Sequence, residues 1–117
     1  MIMKTEIKEI LLENAKEYFK NALSSEKTKE YNTSVTLFFK AISSLCDLYI
    51  LEKEEIVPSN HSERFRILEE KYPDIYKIID KDLPFYQDSY KARLDKETSN
   101  MLSDDAKKLF RLLNINI

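Results

Sequence analysis

Residues 31–51 read YNTSVTLFFKAISSLCDLYIL. Tyr31, Val35, Phe38, Phe39, Ile42, Leu45, Cys46, Tyr49 and Ile50 recur at spacings of three and four, the period of an α-helix. Leu37, Ala41, Leu48 and Leu51 widen the apolar stripe beyond one face. A helix that is apolar on nearly all sides lies at the centre of a fold, or is covered by a partner chain as well. The stretch therefore predicts a core helix over about residues 28–52. It also makes this second helix the predicted contact of a homodimer.

Working outward, residues 4–24 carry one stripe of Ile7, Ile10, Leu11, Ala15, Tyr18, Phe19, Ala22 and Leu23, with Lys and Glu opposite. Thr5 is in a position to cap that helix, and SSEKT at 24–28 breaks the pattern. Downstream, Pro58 stops the core helix. Asn60 followed by Glu63 is a capping-box arrangement, so a third helix is predicted to start near His61. Pro73 ends or restarts it. Asp82 as a cap and Pro84 in a first turn predict a helix over 84–97, with Phe85, Tyr86, Tyr90 and Leu94. Ser103-Asp104-Asp105 reads as the cap and acidic first turn of a closing helix. The sum is an all-α fold, an antiparallel up-and-down helical bundle of four to five helices, in one domain over residues 1–117.

Composition excludes several classes. Glycine is absent and proline occurs three times, so Gly-rich phosphate loops have no raw material and turns fall to Asn, Asp, Ser or Pro. The single cysteine, Cys46, leaves no internal disulfide or cysteine zinc cluster, and a reduced cytoplasmic setting is expected. No uninterrupted apolar run is long enough for a membrane span, and the charges in MIMKTEIKEILLENAK do not fit a signal peptide. A net charge of −2 argues against bulk attraction to nucleic acid but leaves room for a local basic patch. Glu52, Glu54 and Glu55 lack a Glu-x-x-His partner and read as a solvated face, so neither a metal nor another cofactor is expected.

The chemistry-bearing stretch is SNHSERF, residues 59–65, which holds the only histidine. On the structural reading Asn60 caps a helix and His61 is its exposed first residue. On the functional reading the helix N-terminus attracts an anion and holds His61 neutral, while Arg64 and Arg66 grip phosphate oxygens. Tyr72, Tyr76, Tyr86 and Tyr90, with Lys77, Lys81, Lys91 and Arg93, can stack and hold a single strand, diluted by Asp74, Asp80, Asp82 and Asp88. The candidate ligand-binding residues are Asn60, His61, Arg64, Arg66, Tyr86, Tyr90, Lys91 and Arg93. His61 and Arg64 are the only catalytic candidates. A ligand site requires His61, Arg64 and the tyrosines to converge in a cleft. A plain helix start leaves His61 splayed into solvent.

Residues 30–51, EYNTSVTLFFKAISSLCDLYIL, resemble the second helix of the HEPN (higher eukaryotes and prokaryotes nucleotide-binding) family. AKEYFKNAL at 15–23, YQDSYKARL at 86–94 and SDDAKKLFRLL at 103–113 fit its other helices, so the resemblance spans about residues 4–114. It implies a four- or five-helix bundle that commonly forms homodimers. Many members are toxins that cleave RNA without metal; others bind a minimal nucleotidyltransferase partner or act as inactive RNA-binding modules. Active members carry an Arg followed four to six residues later by His. Here Glu55, Ile56 and Val57 occupy those positions before His61, and FYQDSY at 85–90 holds neither residue. The resemblance therefore implies a non-catalytic binding module for RNA, a nucleotide or a nucleotidyltransferase in a toxin–antitoxin-like system. The alternatives are a metal-independent endoribonuclease, with His61 as base and Arg64 stabilising the transition state, and a structural dimer without ligand.

Overall fold

The computed structural model describes residues 3–117. Five helices follow in order: α1 (Lys4–Lys27), α2 (Tyr31–Glu54), α3 (His61–Lys71), α4 (Pro73–Asp88) and α5 (Lys96–Leu112). No strand occurs among the described residues. The architecture is an all-α helical bundle.

α2 is the axis of the bundle and packs against all four other helices. Val35, Phe38, Phe39, Ile42, Leu45 and Ile50 are at most 1% exposed. Phe19 of α1 meets Phe38 of α2 at 5.6 Å and Phe110 of α5 at 5.3 Å between ring centroids, which locks three helices together. The breadth of the α2 stripe is thus accounted for within one chain. An 18-residue window of α2 has a mean hydropathy of 1.5, enough by length and composition for a membrane span, but 78% of it is buried inside the bundle. Polar links cross the same interfaces: Ser34 Oγ lies 2.6 Å from Ser99 Oγ, which donates to Glu26 Oε2 at 2.6 Å.

Without glycine, other residues enter the left-handed region. Lys29 (φ 63°), Glu55 (φ 60°) and Asn114 (φ 59°) do so, each at a cost of roughly 1–2 kcal/mol. Only the last is a residue type expected to make turns. At Glu55 the backbone N–H donates to Leu51 O at 3.0 Å, and the carboxylate pairs with Lys4 at 2.8 Å.

Several predicted helix ends move. Met3, not Thr5, precedes α1, and no side chain caps it. α1 continues through Ser24 and Ser25 to Lys27. Asn60 caps α3 as expected, accepting from the Glu63 N–H at 2.9 Å, while the Glu63 carboxylate accepts from Ser59 Oγ at 2.8 Å. Pro73 starts α4 directly after Tyr72. The predicted helix over 84–97 is absent: α4 runs through Pro84 to Asp88, and residues 89–95 are irregular. Asp82 is no cap but a fully buried residue inside α4. Ser103-Asp104-Asp105 likewise lies inside α5, which is capped by Asp95 accepting from the Thr98 N–H at 2.9 Å. The physical reason is burial. Ile75 and Ile79 are buried, and Leu83 and Tyr86 continue their stripe against the core, so packing holds the helix through a proline that removes one backbone bond.

Candidate ligand-binding pocket

Asp47 sits within the apolar run of α2 and is 8% exposed. A carboxylate there needs a partner. Arg64 reaches it from α3, with Nε donating to Oδ1 at 2.6 Å and Nη2 to Oδ2 at 2.9 Å, a bidentate pair. The third nitrogen, Nη1, lies 2.6 Å from His61 Nδ1. A guanidinium has no acceptor, so Nδ1 accepts and the ring proton is on Nε2.

Partial burial holds His61 below its ordinary pKa of 6.5; the Arg64 and Lys40 cations push the same way and Asp47 opposes them. The unfolded chain therefore binds more protons than the fold just below 6.5. The stability tied to a neutral ring is present above that pH and lost as pH falls through it. The chain has one histidine, so its imidazole resonances in a proton NMR titration are unambiguous. Their midpoint is expected below 6.5 and returns toward it in unfolding concentrations of urea. A midpoint at or above 6.5 in the folded protein would contradict this placement.

His61 and Arg64 open onto a cavity of about 230 Å³. α1 supplies Leu11, Asn14 and Tyr18; α2 supplies Phe39, Lys40, Ser43, Ser44 and Asp47; α4 supplies Tyr86. Tyr86 stacks on Phe39 at 4.5 Å and 17°, and Lys40 Nζ lies 5.9 Å from the Tyr86 ring centroid. Ser44 Oγ donates to Leu11 O at 2.7 Å and ties α1 to α2. Ser43 Oγ is buried and has no hydrogen-bond partner.

Tyr86 also leads out of the cavity. Its hydroxyl is 2.9 Å from that of Tyr90, which is 72% exposed. That contact, then burial, pushes the Tyr86 hydroxyl up to about 12. The loop after α4 is held by Asn32 of α2: Nδ2 donates to Ser89 O at 2.9 Å and Ala92 O at 2.6 Å, and Oδ1 accepts from Leu94 N–H at 2.9 Å. Lys91 and Arg93 are thereby set beside Tyr90 around a shallow depression of about 580 Å³.

The structure thus brings His61, Arg64 and Tyr86 together and sets Tyr90, Lys91 and Arg93 alongside. Asn60 and Arg66 are not among the cavity's walls: Asn60 spends its Oδ1 on the α3 cap, and Arg66 pairs with Glu70 at 3.4 Å on the exposed surface. Tyr72 bonds Glu54, and Tyr76 packs edge-on to Phe65 at 6.2 Å, both away from the cavity. Sequence reasoning missed Asn14, Tyr18, Lys40, Ser43 and Asp47. Asp47 had a readable signal, an acid amid an apolar run; the others had none. Cys46 is fully buried, and burial pushes its thiol far up, so it is an inert packing residue. Among the described residues no three His, Cys, Asp or Glu side chains gather as metal ligands would. Comparison of the chain with family models, curated proteins and solved structures finds no match.

Proposed function

We propose that this chain is a non-catalytic, HEPN-like binding module that holds single-stranded RNA or a nucleotide. The observation that carries the reading is the hydroxyl contact between Tyr86 and Tyr90, which joins an open-sided cavity of mixed polarity to an exposed basic loop. Tyr90 offers a stacking face, Lys91 and Arg93 offer phosphate contacts, and the cavity takes one terminal group. A volume of about 230 Å³ is below the usual 300–1,000 Å³ of pockets that engulf a whole small molecule, which suits one end of a longer ligand.

Binding rather than cleavage is favoured by the state of His61. A general base needs an open acceptor nitrogen. Nδ1 is engaged by Arg64 and Nε2 carries the proton, so the ring presents a donor. Arg64 itself commits an N–H from each of its three nitrogens to Asp47 and His61. The homodimer through α2 and the nucleotidyltransferase partner in a toxin–antitoxin-like setting belong to this proposal through the family resemblance alone.

The test is fluorescence anisotropy of a labelled oligo-uridine RNA at rising salt. Binding is expected to weaken as salt rises, with a log–log slope of about −2 for three phosphates contacted. Tyr90→Ala is expected to weaken it about fivefold or more without loss of fold, since the ring is largely exposed. Binding insensitive to both would overturn the reading. Chelator-resistant RNA cleavage that vanishes in His61→Ala would replace it with the endoribonuclease.

A further inference from the structure

The geometry points to a phosphomonoester site in the cavity between α1, α2, α3 and α4, with Lys40 as its cation and Ser43 and His61 as its donors. This deepens the nucleic-acid reading and rests on it only for the source of the phosphate.

The fold leaves one cation and several hydrogen-bond donors unused. Asp47 and Arg64 cancel each other's charge, and both carboxylate oxygens are occupied. Lys40 lines the same cavity and makes no ion pair among the described residues, so the site carries one uncompensated positive charge. Three donors on this cavity are the Lys40 ammonium, the His61 Nε2–H and the Ser43 hydroxyl, beside the Asn14 amide and the Tyr18 hydroxyl. A ligand that answers them is anionic and rich in acceptors. A terminal phosphoryl group brings more acceptor oxygens and more negative charge to the Lys40 cation and its neighbouring donors than a carboxylate does.

Ser43 is the independent sign that something binds. It is 7% exposed, and its Oγ has no partner, although other hydroxyls on α2 find theirs. Ser34 bonds Tyr31 O at 3.0 Å, Thr36 bonds Asn32 O at 2.9 Å and Ser44 bonds Leu11 O at 2.7 Å. A buried, unsatisfied hydroxyl destabilises a fold, and an alanine would remove that cost. A ligand oxygen in the cavity supplies the missing acceptor.

Calorimetric titration of the full chain with inorganic phosphate, AMP and adenosine is the test. A parallel set uses one oligo-uridine bearing a 5′-phosphate, a 3′-phosphate or hydroxyls at both ends. AMP is expected to bind at least tenfold tighter than adenosine. One phosphorylated oligonucleotide is expected to exceed its hydroxyl form by a similar factor. Lys40→Met is expected to remove that preference. Ser43→Ala is expected to weaken phosphate binding about fivefold while the protein unfolds at an equal or higher temperature, a pairing that a structural role would not give. Loading with phosphate is also expected to move the single imidazole midpoint upward. Equal binding of phosphorylated and hydroxyl forms, unaffected by Lys40→Met, would overturn the phosphate site while leaving RNA binding through Tyr90 intact. Phosphate and AMP bound through Lys40, with no oligonucleotide bound, would sustain the site and end the RNA reading.

Discussion

Asp47→Ala is expected to cost the bundle about 3–5 kcal/mol, a large share of the roughly 5–15 kcal/mol that holds a domain of this kind together. The reason is what remains. Arg64 is 8% exposed, and its guanidinium cannot shed its proton, so removing the carboxylate strands a positive charge between α2 and α3. Nothing else within the pair's bonding shell can replace it: His61 Nδ1 already accepts from Nη1. Urea unfolding followed by circular dichroism should show the midpoint falling by about one molar or more. The double variant Asp47→Leu with Arg64→Met, which removes both charges, should recover most of the loss, because a buried ion pair differs little in stability from an apolar pair of similar volume. A loss under about 1 kcal/mol for the single variant would show that the pair behaves as a solvated surface bridge. The same pair has a second effect. It fixes the guanidinium against which His61 rests. Burial is the first cause of the lowered imidazole pKa, and the two charges oppose each other, so the double variant should fold well and keep an imidazole midpoint below 6.5.

The course of the chain was legible where period and burial agree. The α1 stripe marks one face and the α2 stripe marks a core helix, and Ala15, Phe19 and Ala22 join Phe38, Phe39 and Ile42 in one buried cluster, with Phe19 against Phe38. Helix ends were legible only where a local signal met no opposing burial. Asn60 capped as its sequence implies, whereas Ser103-Asp104-Asp105 had cap chemistry in the wrong place. Leu102, Ala106, Leu109 and Phe110 bury one face of α5 straight across it. Pro84 misled for the same reason: its cost is local, and the core contacts of α4 on either side outweigh it. In the site, His61 and Arg64 were legible because they share one turn. Asp47 lies 17 residues from Arg64 on another helix, and no local pattern names that pairing. Lys40 and Ser43 are ordinary residues of an amphipathic helix until α3 and α4 close around them. Asn32 is the clearest case: its role is to hold residues 89, 92 and 94, about 60 positions away.

Asp82→Asn is expected to stabilise the protein, and by an amount that grows with pH. Asp82 is 0% exposed, and neither carboxyl oxygen has a hydrogen-bond partner. Lys81 Nζ stands 4.0 Å from it but only 3.0 Å from Asp105 on α5, so the one nearby cation serves the other acid. Burial first, then the Asp105 carboxylate, pushes Asp82 far above its ordinary 3.8, with Lys81 opposing. Between 3.8 and the raised value the fold holds a proton that the unfolded chain has released. Stability therefore declines as pH rises across that window, the reverse of a carboxylate such as Asp95, which its hydrogen bonds to Thr98 hold low. Asparagine keeps the size and offers Asp105 an N–H without a titration. At pH 8 the variant should exceed the parent by roughly 2–4 kcal/mol, or about 8–16 °C in melting temperature, with the gap narrowing toward pH 5. Melting curves at the two pH values decide it. A constant gap would mean that size or polarity, not the proton, sets the penalty; a variant less stable at both would mean that the carboxyl makes a contact an amide cannot. The expected outcome would make the α4–α5 contact the place where this bundle gives up stability as pH rises above 3.8, about one helical turn along α4 from Tyr86 of the pocket.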